Sequence, residues 1–176
     1  MTEIRNYKQL LKNITTFFLD IDGVLTDGSV IIAADGEQLR TMNVKDGYVL
    51  QLAVKNGYRV VIISGGRSKQ MPSRFEYLGI KDVFLGVDNK IECFNDYLKK
   101  HNIDKSQTLY MGDDIPDYEV MKEVAVACCP ADAAEEIKSI AHYISPISGG
   151  KGCVRDIIEQ VMKVQDKWFG NNAFHW

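Results

Sequence analysis

The chain has 176 residues, enough for one domain with a single sizeable core, and its 45% hydrophobic and 26% charged residues exclude a disordered polymer. A formal net charge of −3 argues against a nucleic-acid binder, which carries a basic excess. No apolar run has the length to cross a bilayer, and the polar N-terminus lacks the apolar core of a signal peptide, so a cytoplasmic protein without a membrane partner is expected.

Taken in chain order, Ile4, Leu10, Leu11 and Ile14 predict one side of a short helix. Thr15 to Asp20 reads as a buried strand, β-branched and aromatic, cut off by Asp-Ile-Asp-Gly. Val30 to Ala33 and Glu37 to Asn43 flank Asp35-Gly36, a hairpin-turn signal. Residues 46–55 have helical spacing, stopped by Asn56-Gly57, and Tyr58 to Ile63 is a second buried strand. Further helices are expected over 68–78, with Pro72 in the first turn, and over 90–100, 115–123, 133–140 and 152–168. Strands are expected over 82–85, 108–111, 124–127 and 142–144, and residues 169–176 form an aromatic tail. Strands alternating with helices imply right-handed βαβ units: an α/β protein with a doubly wound, mostly parallel sheet. A single domain over 1–176 follows, with a β-hairpin inserted at 28–43. Cys93, Cys128, Cys129 and Cys153 lack metal or redox spacing and read as core thiols in a reducing compartment.

Open α/β sheets bind ligands beyond the carboxyl ends of their strands. The residues leaving those strands are Asp20-Ile21-Asp22-Gly23, Ser64-Gly65-Gly66-Arg67, Asp88-Asn89-Lys90 and Gly112-Asp113-Asp114, with Asp117 a turn later. Singly, each has a plain structural role: Asp-x-Asp makes turns, Ser64 caps a helix, Lys90 is a solvated charge. Together, carboxylates, a hydroxyl and a lysine at successive strand ends indicate a metal site that handles a phosphoryl group.

The run Phe17-Phe18-Leu19-Asp20-Ile21-Asp22-Gly23-Val24-Leu25-Thr26-Asp27, then Ser64, Lys90 and Gly112-Asp113-Asp114-Ile115-Pro116-Asp117, resembles the four ordered motifs of the haloacid dehalogenase superfamily of phosphotransferases. The resemblance covers nearly the whole chain. It implies Asp20 as covalent nucleophile, Asp22 as general acid and base, and Ser64 and Lys90 as phosphoryl binders. It also implies Mg²⁺ on Asp20, the Asp22 carbonyl and Asp113, with Asp114 and Asp117 orienting its surroundings. Asp22 has to begin protonated, which repulsion from Asp20 favours.

The superfamily's two common cap insertion points hold here only the hairpin and one core helix–strand unit, which implies a capless enzyme. Asp27-Gly28, Asn43-Val44-Lys45-Asp46-Gly47, Ser64 through Lys69 and Gly149-Gly150-Lys151-Gly152-Cys153-Val154-Arg155 resemble the capless phosphatases of 3-deoxy-D-manno-octulosonate 8-phosphate, tetramers that make a lipopolysaccharide sugar acid. A sister group acts on a nine-carbon 9-phosphate and tends to carry an acidic residue after its motif-two glycine. Gly66 and Arg67 stand there in this chain and favour the octulosonate group. Ser64 replaces the usual threonine. The expected substrate contacts are Arg67 (a forked partner for the sugar carboxylate), Lys45, Asp46, Gly47, Gly65 and Lys151. A homotetramer is expected, with the hairpin between subunits and the aromatic tail able to reach a neighbour's site.

Overall fold

A computed structural model describes residues 7–175; the expected helix position Ile4 lies outside them. The described helix α1 is short, Tyr7–Leu10, and runs into a 3₁₀ turn, Leu11–Asn13, that buries Leu11 before Ile14. Six parallel strands form the sheet: β1 (Thr16–Leu19), β4 (Arg59–Ser64), β5 (Asp82–Leu85), β6 (Thr108–Met111), β7 (Val126–Cys129) and β8 (Tyr143–Ile144). Their order is β5-β4-β1-β6-β7-β8. The two hairpin strands, β2 (Ile31–Ile32) and β3 (Gln38–Leu39), pair antiparallel in a separate ribbon.

The two-residue period of a strand sorts the core into two layers. Phe17 and Leu19 of β1 face α2 (Val44–Lys55), α3 (Met71–Tyr77) and α7 (Cys153–Val164). Phe18 faces the other way, onto α4 (Lys90–His101), α5 (Tyr118–Met121) and α6 (Glu135–Ile140). Phe17 and Phe18 are both fully buried, each worth roughly 1.5–3 kcal/mol of transfer free energy. A parallel strand covered on both faces has to be apolar throughout, which is why β1 and β4 were visible in the sequence.

Several boundaries differ from the sequence expectation. The strand expected at 124–127 lies two residues later, because pairing of Leu109 with Val126 sets its start inside a continuous apolar run. The helix expected over 115–123 is a 3₁₀ turn, Ile115–Asp117, followed by the four residues of α5; Pro116 sits in that turn. Helix α7 ends at Val164, so Trp168 lies beyond it. Helix α3 starts at Met71 with Pro72 in its first turn, and Ser68 Oγ accepts from the amides of Gln70 and Met71 ahead of it. Among the described residues, no helix is long and apolar enough to cross a membrane.

Candidate active site

Strand β1 has β4 on one side and β6 on the other, so the winding direction reverses about it. A sheet opens a crevice at such a point, beyond the carboxyl ends of the strands. Asp20 follows β1, Ser64 ends β4, Asp113 follows β6 by one glycine, and Lys90 is the first residue of α4. All four, with Asp22, line one cavity of about 490 Å³. Gly65, Gly66, Asp88 and Asp114 line it as well.

Lys90 is held at the floor of this cavity. Its Nζ lies 2.8 Å from Asp20 Oδ2 and 2.7 Å from Asp117 Oδ1, with 4% of its side chain exposed. A cation at a helix N-terminus opposes the helix dipole, and burial pushes its pKa down. The charges of Asp117 and Asp20 outweigh both and raise it, so the ammonium persists. Tyr110, fully buried in β6, donates to the same Asp117 oxygen at 2.6 Å. The backbone amide of Asp113 donates to the other at 3.1 Å. Sequence reasoning missed Tyr110, because an aromatic in a buried strand reads as core and the polar tip that finds Asp117 leaves no signal.

Asp20, Asp113 and Asp117 bring carboxylate oxygens within 4.8 Å of one another. The oxygens of Asp117 already serve Lys90, Tyr110 and the Asp113 amide, and its side chain does not line the cavity. Of these three, Asp20 and Asp113 face the cavity. Burial, then Asp117, push Asp20 up to about 6 against the pull of Lys90. Burial, then Asp20 and Asp117, push Asp113 up to about 7. Such a knot of hard oxygen donors, short of compensating charge, suits a small divalent cation. The approach of Asp113 depends on Gly23, where a Cβ would lie 1.9 Å from Asp113 Oδ2.

Asp22 has a charged neighbour that the sequence did not reveal. The Arg40 guanidinium, from the chain leaving β3, binds its carboxylate in a fork: Nε to Oδ1 at 2.6 Å and Nη2 to Oδ2 at 2.9 Å. Where the sequence offers Asp22 only repulsion from Asp20, the fold sets an opposite charge against both of its oxygens. Ser64 Oγ accepts from the Gly66 amide at 3.1 Å, which shapes the loop over the cavity.

The expected substrate contacts separate. Gly65 lines the cavity; Arg67, Lys45, Asp46, Gly47 and Lys151 do not. Arg67 is exposed and lies along Gly86 of the loop after β5. Lys45 is exposed on α2 and lines a different groove with Tyr48, Arg155 and Trp168. Asp46 and Gly47 are buried, and the carboxylate of Asp46 accepts from the Arg155 amide at 2.7 Å, in the first turn of α7. In this placement Asp46 ties two helices together. Lys151 pairs with Asp27 at 3.4 Å. Asp114 is exposed at the cavity rim and accepts from the Ile115 amide at 2.8 Å.

Comparison with known proteins agrees with this geometry. Residues 82–155 match the haloacid dehalogenase-like hydrolase family. A 3-deoxy-D-manno-octulosonate 8-phosphate phosphatase of Escherichia coli is 36% identical over 156 residues, covering 89% of this chain and 83% of the relative. The chain belongs to this phosphatase family of the haloacid dehalogenase superfamily. It is a phosphoric monoester hydrolase. The crystal structure of the Yersinia pestis phosphatase of this family superposes with a TM-score of 0.91 at 33% identity, covering 94% of this chain and 90% of that one. The phosphatase from Moraxella catarrhalis, solved with a magnesium ion, a phosphate ion and a KDO molecule, superposes with a TM-score of 0.89 at 31% identity, covering 92% and 93%. Between β1 and the fourth motif this family member carries only the hairpin and core elements, and so has no cap domain.

Proposed function

We propose that this phosphatase hydrolyses 3-deoxy-D-manno-octulosonate 8-phosphate with Asp20 as its covalent nucleophile and Mg²⁺ as its cofactor. The observation that carries the reading is the convergence of Asp20, Asp22, Ser64, Lys90 and Asp113 on one cavity at the carboxyl end of the sheet. Asp20, the Asp22 backbone carbonyl and Asp113 would hold Mg²⁺, which supplies the charge that offsets repulsion between a carboxylate nucleophile and a phosphate. An Asp20 oxygen attacks phosphorus, forming an aspartyl-phosphate as the bond to the sugar oxygen breaks. Asp22 protonates that departing oxygen, then takes a proton from the water that attacks the same phosphorus and frees Asp20. Lys90 and Ser64 bind the phosphoryl oxygens. Asp117 keeps Lys90 in place, and Asp114 orients groups at the rim.

The substrate assignment rests on the named relatives and on Gly66-Arg67 in place of the sister group's acidic residue. Arg67 and Lys151 remain candidates for the sugar end: Arg67 follows cavity-lining Gly66, and Asp27, the partner of Lys151, precedes cavity-lining Gly28. The product would then feed lipopolysaccharide sugar synthesis in the cytoplasm, where the four free cysteines stay reduced. A homotetramer completes the reading, supported by the exposed apolar hairpin. Phosphate release from the octulosonate 8-phosphate and from the nine-carbon 9-phosphate, each with and without Mg²⁺, tests the proposal. Expected are preference for the eight-carbon ester, dependence on Mg²⁺, inhibition by Ca²⁺, and loss of turnover in Asp20→Asn. Equal turnover of both esters would remove the substrate assignment; an active Asp20→Asn enzyme would remove the mechanism.

A further inference from the structure

Strands β2 and β3 lie open to solvent, yet the chain leaving them sends one side chain inward. The Arg40 side chain is 5% exposed, although the apolar side chains of the two hairpin strands are exposed. Besides its fork on Asp22, its Nη1 donates to the Gln38 carbonyl at 3.2 Å, which ties the guanidinium to β3. Ile21, Ser64, Gly66 and Met71 line the narrow space beside the pair, while the Asp22 side chain stays 34% exposed and lines the catalytic cavity. A Cβ on Gly66 would fall 3.0 Å from Asp22 Oδ2 and 3.3 Å from Arg40 Nη2. The loop that carries Ser64 therefore closes directly on the ion pair.

Arg40 does not line the catalytic cavity, whereas Asp22 does. We infer that Arg40 is a positioning residue: its fork fixes the orientation of the Asp22 carboxylate for the step in which it takes a proton from the attacking water, and so couples the hairpin's placement to the rate. A forked pair fixes both oxygens of a carboxylate at once, which a single ammonium contact cannot do. The inference rests on the acid–base role proposed for Asp22.

A double-mutant cycle tests it, with kcat and KM measured on the octulosonate 8-phosphate and on glycerol 2-phosphate, both with Mg²⁺. Arg40→Met is expected to lower kcat at least about tenfold, as misplaced catalytic groups do, while KM changes less than about threefold. Arg40→Lys, which keeps the charge and loses the fork, is expected to fall between the two. In an Asp22→Asn background, Arg40→Met is expected to change kcat by less than about twofold, because its effect travels through Asp22. An equal loss in both backgrounds overturns the inference and leaves the role of Asp22 intact. So does an Arg40→Met enzyme with wild-type kcat. A fully active Asp22→Asn enzyme overturns the underlying reading and the inference together. Arg40→Lys keeps the test open should Arg40→Met fail to fold.

Discussion

Gly23 and Asp113 share a volume that admits no side chain at position 23. The Gly23 backbone has φ of +81°, a left-handed conformation, and a Cβ there would meet Asp113 Oδ2 at 1.9 Å. Gly23→Ala should displace Asp113, lower kcat about 100-fold and raise the Mg²⁺ concentration needed for half-maximal rate. A Mg²⁺ titration of activity checks this; an unchanged titration curve would disprove the link. Asp46 makes a different prediction. Burial pushes its carboxyl up to about 6, against the Arg155 and Gly152 amides that pull it down. One of its oxygens, Oδ2, has no hydrogen-bond partner. A folded-state value above the unfolded one near 3.9 means that its contribution to stability is complete below that unfolded value and is lost as pH rises through about 6. The displacement is worth on the order of 3 kcal/mol. Relative to Asp46→Asn, the wild-type protein should therefore gain stability as pH falls from about 7 to 4. Urea midpoints of the two proteins across that range measure it, and parallel curves would count against it.

Among the elements, the aromatic tail, expected to reach a neighbour's site, has contacts within its own chain: residues 171–174 form a 3₁₀ turn against α2. Tyr48 donates to the Ala173 carbonyl, Lys55 Nζ to the His175 carbonyl at 3.1 Å, and Asn172 to the Lys55 carbonyl at 3.4 Å. Trp168 lies under the Arg155 guanidinium, 5.1 Å from ring centroid to carbon. Cation–π contacts of this kind stabilise by roughly 0.5–2 kcal/mol. A chain ending at Lys167 should melt about 1–8 °C lower, since 1 kcal/mol moves a domain of this size by about 2–4 °C. Calorimetry decides it, and an unchanged melting temperature would mean that these contacts contribute nothing in solution.

At the scale of the whole molecule, the hairpin sets the question of assembly. Ile31 is 60% exposed, Ile32 65% and Leu39 46%, all on one small ribbon. A β-ribbon with open edges and apolar side chains invites association. Light scattering should give a mass near four chains of 19.9 kDa, and Ile32→Lys should lower it. A monomer at working concentration would rule out the tetramer.

Asp20, Ser64, Lys90 and Asp113 were legible in the sequence because each lies at, or within two residues of, the end of a local element with a strong signature. β1 and β4 are apolar runs that stop abruptly, and Asn89 caps α4 by accepting from the Glu92 amide. Strand alternation gave the fold class for the same reason: apolar periodicity is written locally. The boundary of β7 was not, because its register depends on pairing with β6. Nor was Asp46, since a carboxylate near a helix start reads the same whether it meets a substrate or the first turn of α7, 109 residues away. Arg40 lies 18 residues from Asp22, and Lys90 27 from Asp117. No periodicity encodes such pairs. Only packing the hairpin and α4 against the end of β1 brought these charges together, because burial makes an unpaired charge costly and leaves the nearest opposite charge as its partner.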